Sequence, residues 1–469
     1  MRDRTLLIAP LVILALLLLA GGCTMVPNYA RPDMPIPNAY PAASGQAGNA
    51  ADKLPGWKAF FRDAPMQRVI ELALENNRDL RVSMLNIEKT RARYRIQRAD
   101  LLPTVNAAAS AANQHLPASL STTGIKGVTR QYSASLGFSA FELDLFGRIR
   151  SLTEQALETY YSVEEEARSA QLSLVAETAA MYLQLVADRE AYDLTRATAE
   201  NRRKTYELIQ RKFEAGVASD LDVSQARTIL DEAMVSLAAA ATQVGQDGNS
   251  LALLMGCPIP GDLPEIRRLA HVDTLDDLPE GLPSSLLARR PDIRAAEHTL
   301  RGANANIGAA RANFFPTISL TAAFGKMSND YNDLWDAGSK AWSFMPQISL
   351  PIFDMGRNMA RLDVSATEKE IAVARYEKAI QTAFREVADT LVQRNNIDAR
   401  LSAQESLVAA TGRSVAHADT RYGAGVGNFL DLLDAERSLY SARSGLISAR
   451  LLRETNALTL YKALGGGWE

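Results

Sequence analysis

Few residues in this 469-residue chain have types and spacings that could do chemistry. Asp431 and Asp434 stand three apart, so on a helix they share one face. Carboxylates placed so either attract cations or complement the positive end of the helix. Lys212 ahead of Gly216-Val217, and Arg421 ahead of Gly425-Val426, repeat one pattern of cation, glycine and aliphatic residue. Glycine there ends a helix, whatever else the motif does. Asp220 and Asp222 read as caps of the helix that follows. Cys23 and Cys257 cannot make a disulfide framework or a four-thiolate zinc site. The four histidines, His115, His271, His298 and His417, are scattered, and there is no P-loop, nucleophile elbow or strand-flanked GxGxxG. No catalytic residues, metal or cofactor are expected. Lys plus Arg total 51 against 54 for Asp plus Glu, which argues against a nucleic-acid partner.

The N-terminus reads as an address. Arg2 and Arg4 precede an apolar run from Leu6 to Ala20, then Gly21-Gly22-Cys23. A basic start, a short apolar stretch and small residues make a secretory signal over 1–22, too short for a confident spanning helix. Small residues directly before Cys23 look like the bacterial lipoprotein box, with Ala20 in place of the commoner leucine. A plain signal peptide with an incidental cysteine is the alternative. Cys257 reads as a small packed hydrophobe. Residues 23–64, rich in proline between Pro27 and Pro41, are expected to form an extended strap.

An internal repeat organises the remainder. RADLLPTVNAAAS (98–110) matches RANFFPTISLTAA (311–323), and KFEAGVASDLDVSQAR (212–227) matches RYGAGVGNFLDLLDAE (421–436). Gly147 and Gly356, Gly216 and Gly425, and Gly256 and Gly465 are each 209 residues apart. The expected organisation is a first repeat over 65–256, a linker over 257–284 and a second repeat over 285–469. Arg148–Ala215 lacks both glycine and proline, a helix candidate roughly 100 Å long. Leu172, Val175, Ala179, Tyr182 and Val186 step by three and four, and Leu174, Met181 and Leu185 lie on a second side. Two stripes suit a helix wedged between neighbours. Arg357–Thr411 is the matching stretch in the second repeat. The helices turn near 215–220 and 424–428.

Strand signals fall between the helices, in hairpins at about 103–146 and 316–353. Tyr132, Ala134, Leu136, Phe138 and Ala140 alternate with Gln131, Ser133, Ser135, Gly137 and Ser139. Ile318, Leu320, Ala322 and Phe324 alternate likewise, as do Trp342, Phe344, Ile348, Leu350 and Ile352, with Pro346 as an interruption. Thr104–Ala112 is a weak partner, and Leu116–Arg130 and Met327–Lys340 read as polar turns. Alternation over about ten residues suits a transmembrane β-barrel, though a soluble two-sheet protein can show it too. A sheet in lipid must close, and four strands fall short of the eight or so a barrel needs. The chain must therefore share its barrel with copies of itself.

PSSLLARRPDIRAAEHTLRGANANIGAARANFFPTISL (283–320) resembles the signature stretch of the TolC-like outer-membrane efflux proteins. The lipid-anchored branch serving resistance-nodulation-division (RND) multidrug efflux systems fits best, and FELDLFGRIR (141–150) and LYKALGGGW (460–468) agree. The resemblance implies a mixed α/β membrane protein, mostly long helices forming a periplasmic α-barrel. Four strands per chain would join a trimeric 12-stranded β-barrel in the outer membrane. It implies a homotrimer working with a periplasmic adaptor and an inner-membrane RND pump, lipid-anchored at Cys23. The chain would be a passive exit duct for small molecules. The turns at Lys212, Gly216 and Val217 and at Arg421, Gly425 and Val426 would be the adaptor-docking tips. Asp431, Asp434 and Tyr422 would line or gate the closed aperture. Gly427 stands where well-known members carry an arginine, so one gating link is missing. A protein-secretion or metal-efflux duct is the alternative within the family, and a pore-free coiled-coil scaffold is the alternative outside it.

Overall fold

The computed structural model describes residues 24–37, 40, 55–120, 124–261, 268–272 and 284–466. The signal, Cys23 and most of the 257–284 linker lie outside them. After a single helical turn at Trp57–Phe60, the chain runs α1 (Ala64–Asn76), α2 (Arg78–Ala99), β1 (Asn106–Leu116), β2 (Gly127–Leu143), α3 (Arg148–Glu214) and α4 (Asp220–Met255). It continues α5 (Pro291–Ala312), β3 (Thr317–Ser328), β4 (Lys340–Ser349), α6 (Arg357–Gly423) and α7 (Phe429–Ala463). Both α3 and α6 span 67 residues, α6 running through Gly412. No described helix is long and apolar enough to cross a membrane.

Contacts divide the chain into two units, each drawing on both repeats. The first holds residues 1–33, 86–164 and 295–376. Its four strands form one antiparallel sheet in the order β1-β2-β3-β4. One face carries Leu136, Phe324, Trp342, Phe344 and Ile348, each more than half exposed. The other carries small and polar residues, including the Ser110–Ser133 hydroxyl pair at 2.8 Å. The alternation departs from expectation in one place. A bulge between Phe138 and Phe141, with Ala140 at φ 52°, shifts the pattern by one residue. Phe141 and Leu143, opposite Leu320 and Ile318, continue the apolar face instead of Ala140. Two further expectations shift. The strands reach in to Leu116 and Gly127, so the expected turn over 116–130 is shortened at both ends, and Pro346 pairs in register with Leu320, as proline can on the outermost strand.

In the same unit the strap lies against α5. Asn304 Nδ2 donates to the Pro27 carbonyl at 2.8 Å, and Arg31 pairs with Glu297 at 2.7 Å while its Nε donates to the Tyr376 hydroxyl. The second unit holds residues 34–85, 165–294 and 377–469. The strap does not stay extended to residue 64: Phe60 and Phe61 are fully buried against the Tyr461 ring. Leu172, Val175, Ala179, Tyr182 and Val186 are all buried, as the seam required, and so are Leu174 and Leu185 on the second side. Arg290, from the ARRPD motif, is buried and binds Asp292, Glu386 and the Ala463 carbonyl at the end of α7.

The repeated glycines have a common cause. Gly147 and Gly356, Gly216 and Gly425, and Gly256 and Gly465 all have φ between +68° and +94°. That is the left-handed region, which costs a side-chain-bearing residue roughly 1–2 kcal/mol. At Gly256 a Cβ would also stand 2.4 Å from the Asn76 carbonyl oxygen.

Candidate functional site at the two helix turns

The turns joining α3 to α4 and α6 to α7 share one backbone. Gly216 N–H donates to the Phe213 carbonyl at 2.8 Å and Val217 N–H to the Lys212 carbonyl at 2.8 Å. In the second turn Gly425 N–H donates to Tyr422 at 3.1 Å and Val426 N–H to Arg421 at 3.0 Å. Each is a Schellman motif, whose left-handed glycine satisfies carbonyls at the helix end. The residue after that glycine commonly folds back on its own helix. Here it does not: Val217 is 77% exposed and Val426 is 70% exposed. An aliphatic side chain is thus offered to the surroundings at the same place twice.

Behind the turns is a small apolar core of Ile209, Ala226, Phe429 and Leu433, edged by Tyr206, Val223 and Tyr422. Tyr422 bridges the two hairpins. Its ring lies 5.5 Å from that of Phe429, the Lys212 ammonium sits 4.5 Å above it, and Lys212 Nζ donates to its hydroxyl at 3.4 Å. Lys212 and Tyr422 are therefore brought together, whereas Arg421 is exposed. Gly427 fits tightly against the chain, since a Cβ there would lie 3.0 Å from Arg421 and Tyr422 atoms.

The caps differ from expectation. Ser219, not an aspartate, caps α4: its Oγ accepts from Asp222 N–H, and Asp222 Oδ2 accepts from Ser219 N–H at 2.9 Å. Asp220 is the first residue of the helix and makes no cap. The Ser219 backbone donor holds the Asp222 carboxyl below its ordinary range. This reciprocal box was visible in the sequence as Ser-x-x-Asp. Asn428 caps α7, its Oδ1 accepting from Leu430 N–H at 3.1 Å. Asp431 and Asp434 project from the exposed side of α7, while Phe429, Leu432 and Leu433 are buried. Arg437 lies 3.7 Å from Asp434, and Asp431 has no hydrogen-bonding partner among the described residues.

One part of the site could not be read from sequence. Arg202 of α3 is buried and pairs with Glu436 of α7, 234 residues away. Burial pushes the guanidinium down and the carboxyl up, each toward its neutral form, while the partner's charge opposes both. Beside it, the Thr195 and Tyr440 hydroxyls lie 3.0 Å apart. No cluster of three metal-ligating side chains occurs among the described residues.

The chain as a whole resembles known proteins. The family model described as outer membrane efflux protein matches residues 69–257 and 282–466. The antibiotic efflux pump outer membrane protein ArpC of Pseudomonas putida is 50% identical over 452 residues, 96% of this chain and 93% of that protein. The toluene efflux pump outer membrane protein TtgC of Pseudomonas putida is equally similar over the same shares. Among solved structures, the open state of the Neisseria gonorrhoeae MtrE outer membrane channel matches with a TM-score of 0.86 and 39% identity. It covers 95% of this chain and 99% of that one.

Proposed function

The chain belongs to the outer membrane efflux protein family, as an outer-membrane channel component of an efflux pump and not an enzyme, and from that premise we propose how it works. Three chains pool twelve strands into one barrel, and the helices continue the duct into the periplasm. Cargo passes through without chemical change. The exposed Val217 and Val426, with Gly216, Gly425, Lys212 and Arg421, form the surface on which a periplasmic adaptor docks. An RND-type inner-membrane pump delivers the cargo. Asp431 and Asp434 converge at the narrowest point, and Tyr422 holds the two hairpins of one chain together behind it. A signal over 1–22 delivers the chain, and acylation of Cys23 anchors it. Relatives equally similar to this chain are named for antibiotic and for toluene efflux, which fits a duct that leaves selection to its pump.

The observation that carries this reading is the sheet. Its apolar face is exposed, and β1 and β4 each present an outer edge that is unpaired among the described residues. Open edges cannot stand in lipid, and four strands cannot close on themselves. The test is native mass spectrometry of the detergent-purified protein, followed by planar-bilayer recording. A trimer with single-channel conductance is expected. A monodisperse folded monomer without conductance would overturn the reading.

A further inference from the structure

The outward face of the sheet is not uniformly apolar. Near the β3–β4 connection, the end away from the long helices, Lys326 and Lys340 stand directly opposite each other on β3 and β4. Like charges in that relation are unfavourable across a sheet unless something stands between them. Lys326 Nζ is fixed by the carbonyls of Trp335 and Asp336 and lies 5.6 Å from the Trp335 ring centre. Lys340 is exposed, and among the described residues it has no hydrogen-bonding or ion-pairing partner. The connection carries Asp330, Asp333 and Asp336, yet no carboxylate pairs with either ammonium among the described residues. Next to the lysines is a groove of about 580 Å³. Ala107, Ala109 and Ala134 make its floor, and Leu136, Phe324 and Trp335 make its walls. The groove exists because Ala107 and Ala109 of β1 and Ala134 of β2 are small beside Leu136 and Phe324 on the same face.

We propose that this groove binds one acyl chain of a phosphate-bearing lipid, with the phosphate seated between Lys326 and Lys340. The inference rests on the membrane reading above, since it takes the apolar sheet face to meet lipid. Charge complementarity selects the headgroup: two ammonium groups facing each other call for an anion, and lysine binds phosphate as a point charge. The apolar groove selects a hydrocarbon tail over a free ion. Trp335 and Trp342 flank the lysines, at the level where barrels carry their aromatic girdle. The lysines therefore stand where headgroups lie.

The test reconstitutes the full chain in phosphatidylcholine bilayers and reads tryptophan quenching by dibrominated phosphatidylglycerol against dibrominated phosphatidylcholine. Trp335→Phe assigns the quenching to this site. Preference for the anionic lipid should be roughly twofold to fivefold, the size expected of a lysine near anionic lipid. Lys326→Gln with Lys340→Gln should bring it to parity, and Lys340→Arg should keep it. Conductance shows that each variant is folded. Equal quenching by both lipids in the wild type, or an unchanged preference in the glutamine variant, would overturn the proposal. So would loss of the preference on adding inorganic phosphate at lipid-like concentrations, because the site would then read the ion alone. Quenching by neither lipid would instead overturn the membrane reading on which the proposal stands.

Discussion

The two hairpin turns have the same backbone but use their acids differently. With the repeat offset of 209, Asp222 and Asp431 occupy the same position, the third residue of α4 and of α7. In the first turn Ser219 and Asp222 cap each other, so the carboxylate is spent on its own helix. In the second, Asn428 caps through Leu430 N–H and leaves Asp431 unengaged beside Asp434. A carboxylate held by backbone donors is a structural part. An unheld one is available to cations. The same division recurs along the shafts. Asp247 of α4 is buried against Asp188 of α3, while its counterpart in α7 is the neutral Asn456, which donates to the Thr390 carbonyl and to Gln393. Burial, and then the Asp188 carboxyl, push Asp247 up to about 6. Glu436 of α7 pairs with buried Arg202, whereas its counterpart Arg227 of α4 is exposed beside Asp231. The duplication preserved the frame, and the charges diverged on it.

The largest effect should come from breaking the asymmetric ion pair. Glu436→Ala leaves Arg202 buried without a partner and should cost about 3–5 kcal/mol, whereas Arg227→Ala, at an exposed pair, should have little effect. Hydrogen exchange of α3 near Arg202 would show it as faster opening in the first variant alone. Equal protection in the two would mean that the repeats are energetically alike here.

Next come the two unheld acids, proposed to line the aperture. Asp431→Ala with Asp434→Ala should lower the cation-to-anion permeability ratio, by roughly tenfold at most, and relieve block by trivalent cations. Asp222→Ala should leave both unchanged. Single-channel recording in matched salt compares them, and equal effects from the two turns would undo the distinction between held and unheld acids.

The shaft comparison predicts a pH dependence. A carboxyl raised in the folded state is one that the folded state prefers protonated. Its stability is therefore fully present below the unfolded value of about 3.8 and is lost as pH rises through about 6. Asp247→Asn, which installs the second repeat's own residue, should match wild type near pH 4 and melt a few degrees higher at pH 8. Asn456→Asp should do the reverse. Thermal denaturation at the two pH values decides, and parallel curves would remove Asp247 as the cause.

The smallest effect sharpens the turn comparison itself. Ser219→Ala should cost about 1 kcal/mol and fray the start of α4 without altering conductance. Faster exchange of the first-turn amides of α4, with α7 unchanged, is the expected result.

Local pattern was enough to locate the elements and their repetition. Glycines at a constant offset mark positions where only a left-handed residue fits, so the ends of both long helices were legible. Apolar steps of three and four gave the buried stripes of α3, and alternation gave the strands, because each period maps directly onto a face. Long-range packing set the rest. The bulge at Phe138–Phe141 shifts one strand's register, which no local pattern fixes. Arg202 and Glu436, and Lys212 and Tyr422, meet across more than two hundred residues. Whether an acid is held or free, as between Asp222 and Asp431, depends on which donor stands opposite its oxygen. That is a matter of a few ångströms, and residue type alone does not carry it.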